Sequence, residues 1–249
     1  MRDPNLNRLI AAAETLRPLL PELVFVGGCV TGLLITDEAA GEPRGTIDVD
    51  AVAELTSYAQ YAEFGDRLRR LGFHEDTSEG APLCRWIHGG TILDVMPLDE
   101  NILGFSNRWY KAAMKSSTTK KLCNGLEVRM IAGPYFVATK LDAFKGRGGG
   151  DFLGSHDLED VVSVVDGRET LSGELRDAGP DLGEYVRREI ARLRDCWRIL
   201  PSLTHCPASF VPTRQASRES VSFSSGCAIW RRFDHDFLDE MAAPIFIFS

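Results

Sequence analysis

Three aspartates are embedded in runs of residues that otherwise belong inside a sheet. LVFV (Leu23 to Val26) is short, β-branched and aromatic, the composition of a buried strand, and it runs directly into Gly27-Gly28. After a loop rich in Gly, Pro and charge (Thr36 to Gly45), TIDVDAVAEL reads as a second strand. Alternation predicts Ile47, Val49 and Ala51 on one face and Asp48, Asp50 and Val52 on the other. TILDVMPL (Thr91 to Leu98) is a third strand and carries Asp94 among apolar neighbours. A carboxylate in that setting requires a partner, because burying it unpaired costs on the order of several kcal/mol.

Asp48 and Asp50, two positions apart on one strand, place both carboxylates on one face, where they repel unless a cation neutralises them. Mg²⁺ or Mn²⁺ takes hard oxygen ligands of this kind, and Asp94 on a neighbouring strand would supply a third. Alone, an Asp-x-Asp most often marks a solvated strand edge. The strand and Gly27-Gly28 before it, and Asp94 after it, reverse that reading. Calcium-loop spacing is missing. Gly27-Gly28, without side chains, would let the backbone approach a phosphate. CVTGLLI, read as a helix, would then offer the free N–H groups of its first turn.

Elsewhere Leu6 to Leu20 has helical periodicity ended by Pro21, and Tyr58 to Leu71 is a helix with Gly72 as its stop. Leu83 to Gly90 and Glu127 to Ile131 read as strands, and His88-Gly89-Gly90 suits a hairpin turn into Thr91 to Leu98. Helical patterns dominate after Pro134: YFVATKLDAFKG, LEDVVSVVDG and LGEYVRREIARLRDCWRIL. The expected class is α+β. A catalytic core over residues 1–132 precedes a helical lobe over 133–200 and an irregular segment over 201–249. Lys140 and Arg147 lie two helical turns apart and can face one groove. GRGGGD (Gly146 to Asp151) lacks the ending of a Walker loop and reads as a hinge.

A formal charge of -8 argues against broad, sequence-blind nucleic-acid binding. Basic clusters between Arg108 and Lys121 and between Arg187 and Arg198 leave room for a local basic groove. No apolar run approaches the ~18 residues of a membrane span, and the N-terminus lacks the pattern of a secretion signal. The six cysteines form no CxxC pair and read as reduced cytoplasmic thiols. Of the five histidines, only His156, beside Asp157, draws notice. Trp86, Trp109 and Tyr110 read as packing or rim residues ahead of base-stacking ones.

VFVGGCVTGLLI…TIDVDAV…TILDVMPL resembles the hG[GS]…DxD…D signature of the DNA polymerase β-like nucleotidyltransferase superfamily. KLDAFKGRGGGDFLGSHDLEDVVSVVDGR is similar to the K…R…RDxxDL segment of AbiEii-type toxins of type IV toxin–antitoxin systems. The two stretches span residues 20–170, about 60% of the chain. The resemblance implies a core with a mixed sheet, two metal ions and transfer of a nucleoside monophosphate from an NTP. It assigns Asp48, Asp50 and Asp94 as catalytic residues and metal ligands, with Asp94 helping to activate the attacking hydroxyl. It assigns Lys140 to nucleotide phosphate, matches Arg147 to the intervening arginine, and places Asp157 near the same site. His156 stands where the family usually has Arg, and the loop around Pro43 is an addition.

The resulting expectation is a metal-dependent nucleotidyltransferase with Gly27, Gly28, Lys140, Arg147 and Asp157 around the nucleotide. The acceptor is tRNA or another RNA, a protein side chain or a small molecule, and the toxin resemblance implies RNA, with a cognate antitoxin as partner. The rivals are a small-molecule enzyme modifying an aminoglycoside-like acceptor, and a silent nucleotide-binding module. Intact Asp48, Asp50 and Asp94 argue against the last.

Overall fold

A computed structural model of the chain describes residues 3–147, 151 and 154–199. Helix α1 (Leu6–Thr15) forms because Leu9, Ala12 and Ala13 share one face, which packs on the sheet. It ends earlier than periodicity alone predicts. Pro18 opens a 3-10 turn, Arg17–Glu22, because its ring and missing N–H cannot continue an α-helix. Strand β1 (Leu23–Val26) is fully buried and leads through Gly27 into a 3-10 turn (Gly28–Val30) and a single α turn, α2 (Thr31–Leu34). The helix expected from CVTGLLI is thus split in two.

Strand β2 (Asp48–Ala53) starts later than expected. Its neighbours pair only from Asp48 onward, so Ile47 lies before the strand and is exposed instead of facing inward with Val49 and Ala51. Helix α3 (Tyr58–Arg70) is capped by Ser57, whose side chain accepts from the Gln60 N–H, and Gly72 follows it at φ 88°. A short β3 (His74–Glu75) leads to the hairpin β4 (Arg85–His88) and β5 (Thr91–Pro97). Its turn residues, Gly89 at φ 55° and Gly90 at φ 109°, have the left-handed backbone that a tight two-residue turn requires.

Helices α4 (Glu100–Leu103) and α5 (Tyr110–Lys115) follow, then the hairpin β6 (Thr118–Lys121) and β7 (Glu127–Met130). Among the described residues the sheet has seven strands in the order β3-β4-β5-β2-β1-β7-β6. β2 runs parallel to β5 and antiparallel to β1, so the sheet is mixed, as expected for the α+β class. Antiparallel pairing puts the end of β1 beside the start of β2, and Val26 is opposite Asp50. Parallel pairing puts Asp50 opposite Asp94, and the hairpin puts Arg85 opposite Asp94.

Helix α6 (Gly133–Arg147) is buried nearly all round, and α7 (His156–Gly167) packs against it. Two compact units divide between Arg168 and Glu169. Residue 133, where the sequence suggested a boundary, is the first residue of α6 inside the first unit. A helix buried on most sides belongs to the core that buries it. The second unit carries α8 (Leu171–Asp177) and α9 (Pro180–Ile199), the latter burying Leu182, Tyr185, Val186 and Ile190 at helical spacing. The 201–249 segment lies outside the described residues, as do Gly148, Gly149 and Gly150 of the anticipated hinge. No helix among the described residues is long and apolar enough to cross a membrane.

Asn5 ties the chain's start to the loop before β2. Its side chain donates to the Arg44 carbonyl (2.9 Å) and accepts from the Thr46 N–H (2.8 Å), while fully buried. Asn5→Ala strands both backbone groups and should lower stability by about 1–3 kcal/mol. Denaturant unfolding checks this, and an unchanged midpoint contradicts it.

Candidate functional site

The three aspartates come together where the end of β1, the starts of β2 and β4 and the middle of β5 lie side by side. Gly27 has φ 67° and ψ -165°, a conformation L side chains avoid. A Cβ there would overlap the Asp50 carboxylate, falling 2.6 Å from its Cγ. The requirement for glycine at 27 is therefore set by the neighbouring aspartate. Gly28 is buried beneath Arg44, with a Cβ position 3.0 Å from the Arg44 Nη2.

Asp48 and Asp94 are held by Arg85, which sequence reasoning passed over. Its Nε and Nη2 donate to the two oxygens of Asp94 (2.8 Å each), and Nη2 also reaches Asp48 Oδ2 at 3.0 Å. Thr46 Oγ1 donates to the other Asp48 oxygen (2.6 Å). Asp94, assigned by resemblance as the helper of the attacking hydroxyl, thus has both oxygens engaged. The two-residue hairpin turn already implied that Arg85 faces Asp94, and that register was the available signal.

Among the described residues no group of three or more His, Cys, Asp or Glu side chains is placed to hold a metal ion. The expected ligand set of Asp48, Asp50 and Asp94 is therefore not assembled as these side chains stand. The Arg85 guanidinium instead takes both oxygens of Asp94 and one of Asp48. In kind the donors still fit Mg²⁺ or Mn²⁺: three carboxylates on two paired strands, two of them in register.

Asp50 is the member left without a cation at hydrogen-bond distance. Removal from water, then the Asp48 charge, push its carboxyl from the ordinary 3.8 up to about 7, with Lys140 opposing and Asp94 adding. A carboxyl that binds its proton more tightly when folded contributes stability fully below pH 3.8, and that contribution is lost as pH rises through about 7. In EDTA, the stability of the native protein relative to Asp50→Asn should therefore fall between pH 4 and 7. Thermal melting across that range tests it, and a pH-independent difference contradicts it.

The second half of the site is a row of alternating charges. Asp160 on α7 meets Arg44 Nη2 (2.9 Å) and Lys140 Nζ (2.7 Å). Lys140 also donates to Asp157 (3.1 Å), which receives both Nε and Nη2 of Arg147 at 3.1 Å. Burial would lower the Lys140 pKa, but Asp160 and Asp157 outweigh it and the ammonium is held above its ordinary range. Burial likewise pushes Asp157 up, yet Arg147 and Lys140 bring it below its ordinary value. Lys140, Arg147 and Asp157 thus lie together, with Asp160 and Arg44 as members the sequence did not disclose. His156 is exposed, 3.6 Å from Glu159, and joins no ligand cluster.

Two cavities meet at the aspartates. One, of about 690 Å³, is lined by Gly28, Arg44, Asp48, Arg85, Lys140 and Arg147. The other, of about 410 Å³, is lined by Gly27, Met96, Phe105, Asn107, Tyr110 and Asp142. Asp50, Asp94, Lys140, Arg147 and Asp157 line both. Tyr110 is therefore a cavity residue, its hydroxyl pKa raised by burial. Trp86 and Trp109 are buried as packing residues. Cys29 and Cys84 are free and buried, their thiols pushed up by burial, Cys84 to about 12, while Cys123 is free and exposed.

No family model matches the chain, and no curated protein matches it. Among solved structures, the chain is similar to the solution structure of the antibiotic-resistance factor ANT(2″)-Ia. The likeness covers 78% of this chain and 91% of that one, at 15% identity and a TM-score of 0.40.

Proposed function

We propose that this chain transfers a nucleoside monophosphate from an NTP to a hydroxyl acceptor. One observation carries the reading: Asp50 and Asp94 stand with Lys140 and Arg147 where two cavities adjoin, one extending to Arg44 and Arg85 and the other to Phe105, Asn107 and Tyr110. Arg44, Lys140 and Arg147 would bind the triphosphate, their geometry set by Asp157 and Asp160. The acceptor would enter from the cavity of Tyr110, Phe105 and Asn107, bringing its hydroxyl to the α-phosphorus beside Asp94. The acceptor oxygen–phosphorus bond would form as the bond from the α-phosphorus to the bridging oxygen breaks, with pyrophosphate leaving toward the cations and the hydroxyl proton passing to the Asp94 carboxylate freed from Arg85.

Mg²⁺ or Mn²⁺, held by Asp48, Asp50 and Asp94 once Arg85 withdraws, would stabilise the developing phosphoryl charge and lower the pKa of the attacking hydroxyl. In the acceptor cavity the carboxylates of Asp50, Asp94, Asp142 and Asp157 outnumber the cations of Lys140 and Arg147. That lining favours a compact hydroxylic acceptor of neutral or positive charge, such as an aminoglycoside, over the polyanionic end of an RNA. A toxin acting on tRNA and restrained by an antitoxin is the second reading, supported by the resemblance of the Lys140 to Arg168 segment.

Incubation with each labelled NTP, Mg²⁺ and separate pools of aminoglycosides, tRNA and protein tests the reading. Label is expected in the small-molecule pool. Label in tRNA alone overturns the acceptor assignment, and label in none overturns the transferase.

A further inference from the structure

Arg85 occupies the space between Asp48 and Asp94 with three hydrogen bonds of 2.8 to 3.0 Å, while Asp50 beside them has no such partner. We infer that Arg85 is a displaceable internal cation, which keeps divalent metal out of the nucleotide-free site and yields it when a triphosphate draws the guanidinium away. The inference rests on the transferase reading above and adds a control to it.

Three features support displacement. Arg85 and a metal ion would compete for the same oxygens, since both oxygens of Asp94 and one of Asp48 are already taken by the guanidinium. The backbone of Arg85 is fixed by pairing with Asp94 in the β4–β5 hairpin, so the change is confined to a side chain. That side chain already lines the cavity of Arg44, Lys140 and Arg147, where phosphate oxygens offer a planar fork an equivalent bidentate partner. A ligand shifts such an equilibrium only by its differential affinity for the two arrangements, and a triphosphate supplies one by binding the released guanidinium.

As a positioning residue, Arg85 makes metal and nucleotide binding mutually dependent, and the linkage is measurable without turnover. Mn²⁺ titrations followed by the EPR signal of the free ion would compare the native chain with Arg85→Gln, each alone and with a non-hydrolysable NTP analogue. Without nucleotide, Arg85→Gln is expected to bind Mn²⁺ about tenfold more tightly than the native chain, and the analogue to tighten the native chain by about tenfold more than the variant. Adding Asp48→Asn to Arg85→Gln should remove the gain. A purely structural role for Arg85 predicts weaker Mn²⁺ binding on its loss.

Circular dichroism confirms folding. Should Arg85→Gln fail to fold, Arg85→Lys keeps a charge but loses the fork, and tighter Mn²⁺ binding than the native chain remains the expected result. Equal Mn²⁺ affinities for native and variant overturn the displaceable cation and leave the transferase intact. Mn²⁺ binding by neither protein, with or without the analogue, overturns both.

Discussion

Replacing Lys140 with alanine is expected to lower stability by about 3 kcal/mol and to abolish nucleotide binding. The ammonium is buried between Asp160 at 2.7 Å and Asp157 at 3.1 Å. Its removal leaves two acids of α7 facing a void where a positive charge had joined them. Arg44 still holds Asp160 and Arg147 still holds Asp157, which keeps the loss at the lower end of the range for broken buried pairs. Unlike an exposed ion pair, this one is screened little by salt, so the loss should persist at high ionic strength. Urea unfolding and fluorescent-NTP titration measure the two effects, and a stability change below about 1 kcal/mol contradicts the account.

Gly27→Ala should be nearly as damaging by a different route. The new methyl group would fall 2.6 Å from the Asp50 Cγ and 2.9 Å from its Cβ, on a backbone at φ 67°. Either the β1 turn or the Asp50 side chain must move, at about 1–3 kcal/mol of backbone strain. Displacing Asp50 by even an ångström is expected to lower the transfer rate about 100-fold. Gly28→Ala should be milder, because its nearest obstacle is the flexible end of Arg44 at 3.0 Å. Single-turnover rates of the two variants test this order, and a greater loss at Gly28 reverses it.

The sheet was legible wherever composition and period agreed. LVFV and TILDVMPL emerged as β1 and β5 because apolar runs of that length bury both faces, and the Asp48 strand emerged as β2 through its alternation. Gly89-Gly90 marked its hairpin through the backbone such turns demand. β6 carried no such signal: Thr118, Thr119, Lys120 and Lys121 are all exposed, an edge strand defended by charge. The end of α1 followed Pro18 instead of the longer apolar pattern, a local clash overriding periodicity.

Within the site, aspartates on strands could be read because a carboxylate among apolar residues demands a reason. Lys140 and Asp157 were named through resemblance, and their pairing is what the fold adds. Arg85 could be read from the hairpin register, whereas Arg44 and Asp160 stayed hidden because each acquires its meaning from a partner distant in sequence, on a loop and a helix that only packing unites. Asn5 was unreadable for the same reason.

Pyrophosphate release from labelled NTP is the most direct test of the central claim that Asp48, Asp50 and Asp94 are the machinery of nucleotidyl transfer. With Mg²⁺ and a competent acceptor present, the native chain should release pyrophosphate in step with acceptor labelling. Asp50→Asn, folded by thermal melting and still binding nucleotide, should be slower by about a thousandfold or more. Pyrophosphate release by Asp50→Asn at the native rate would contradict the account.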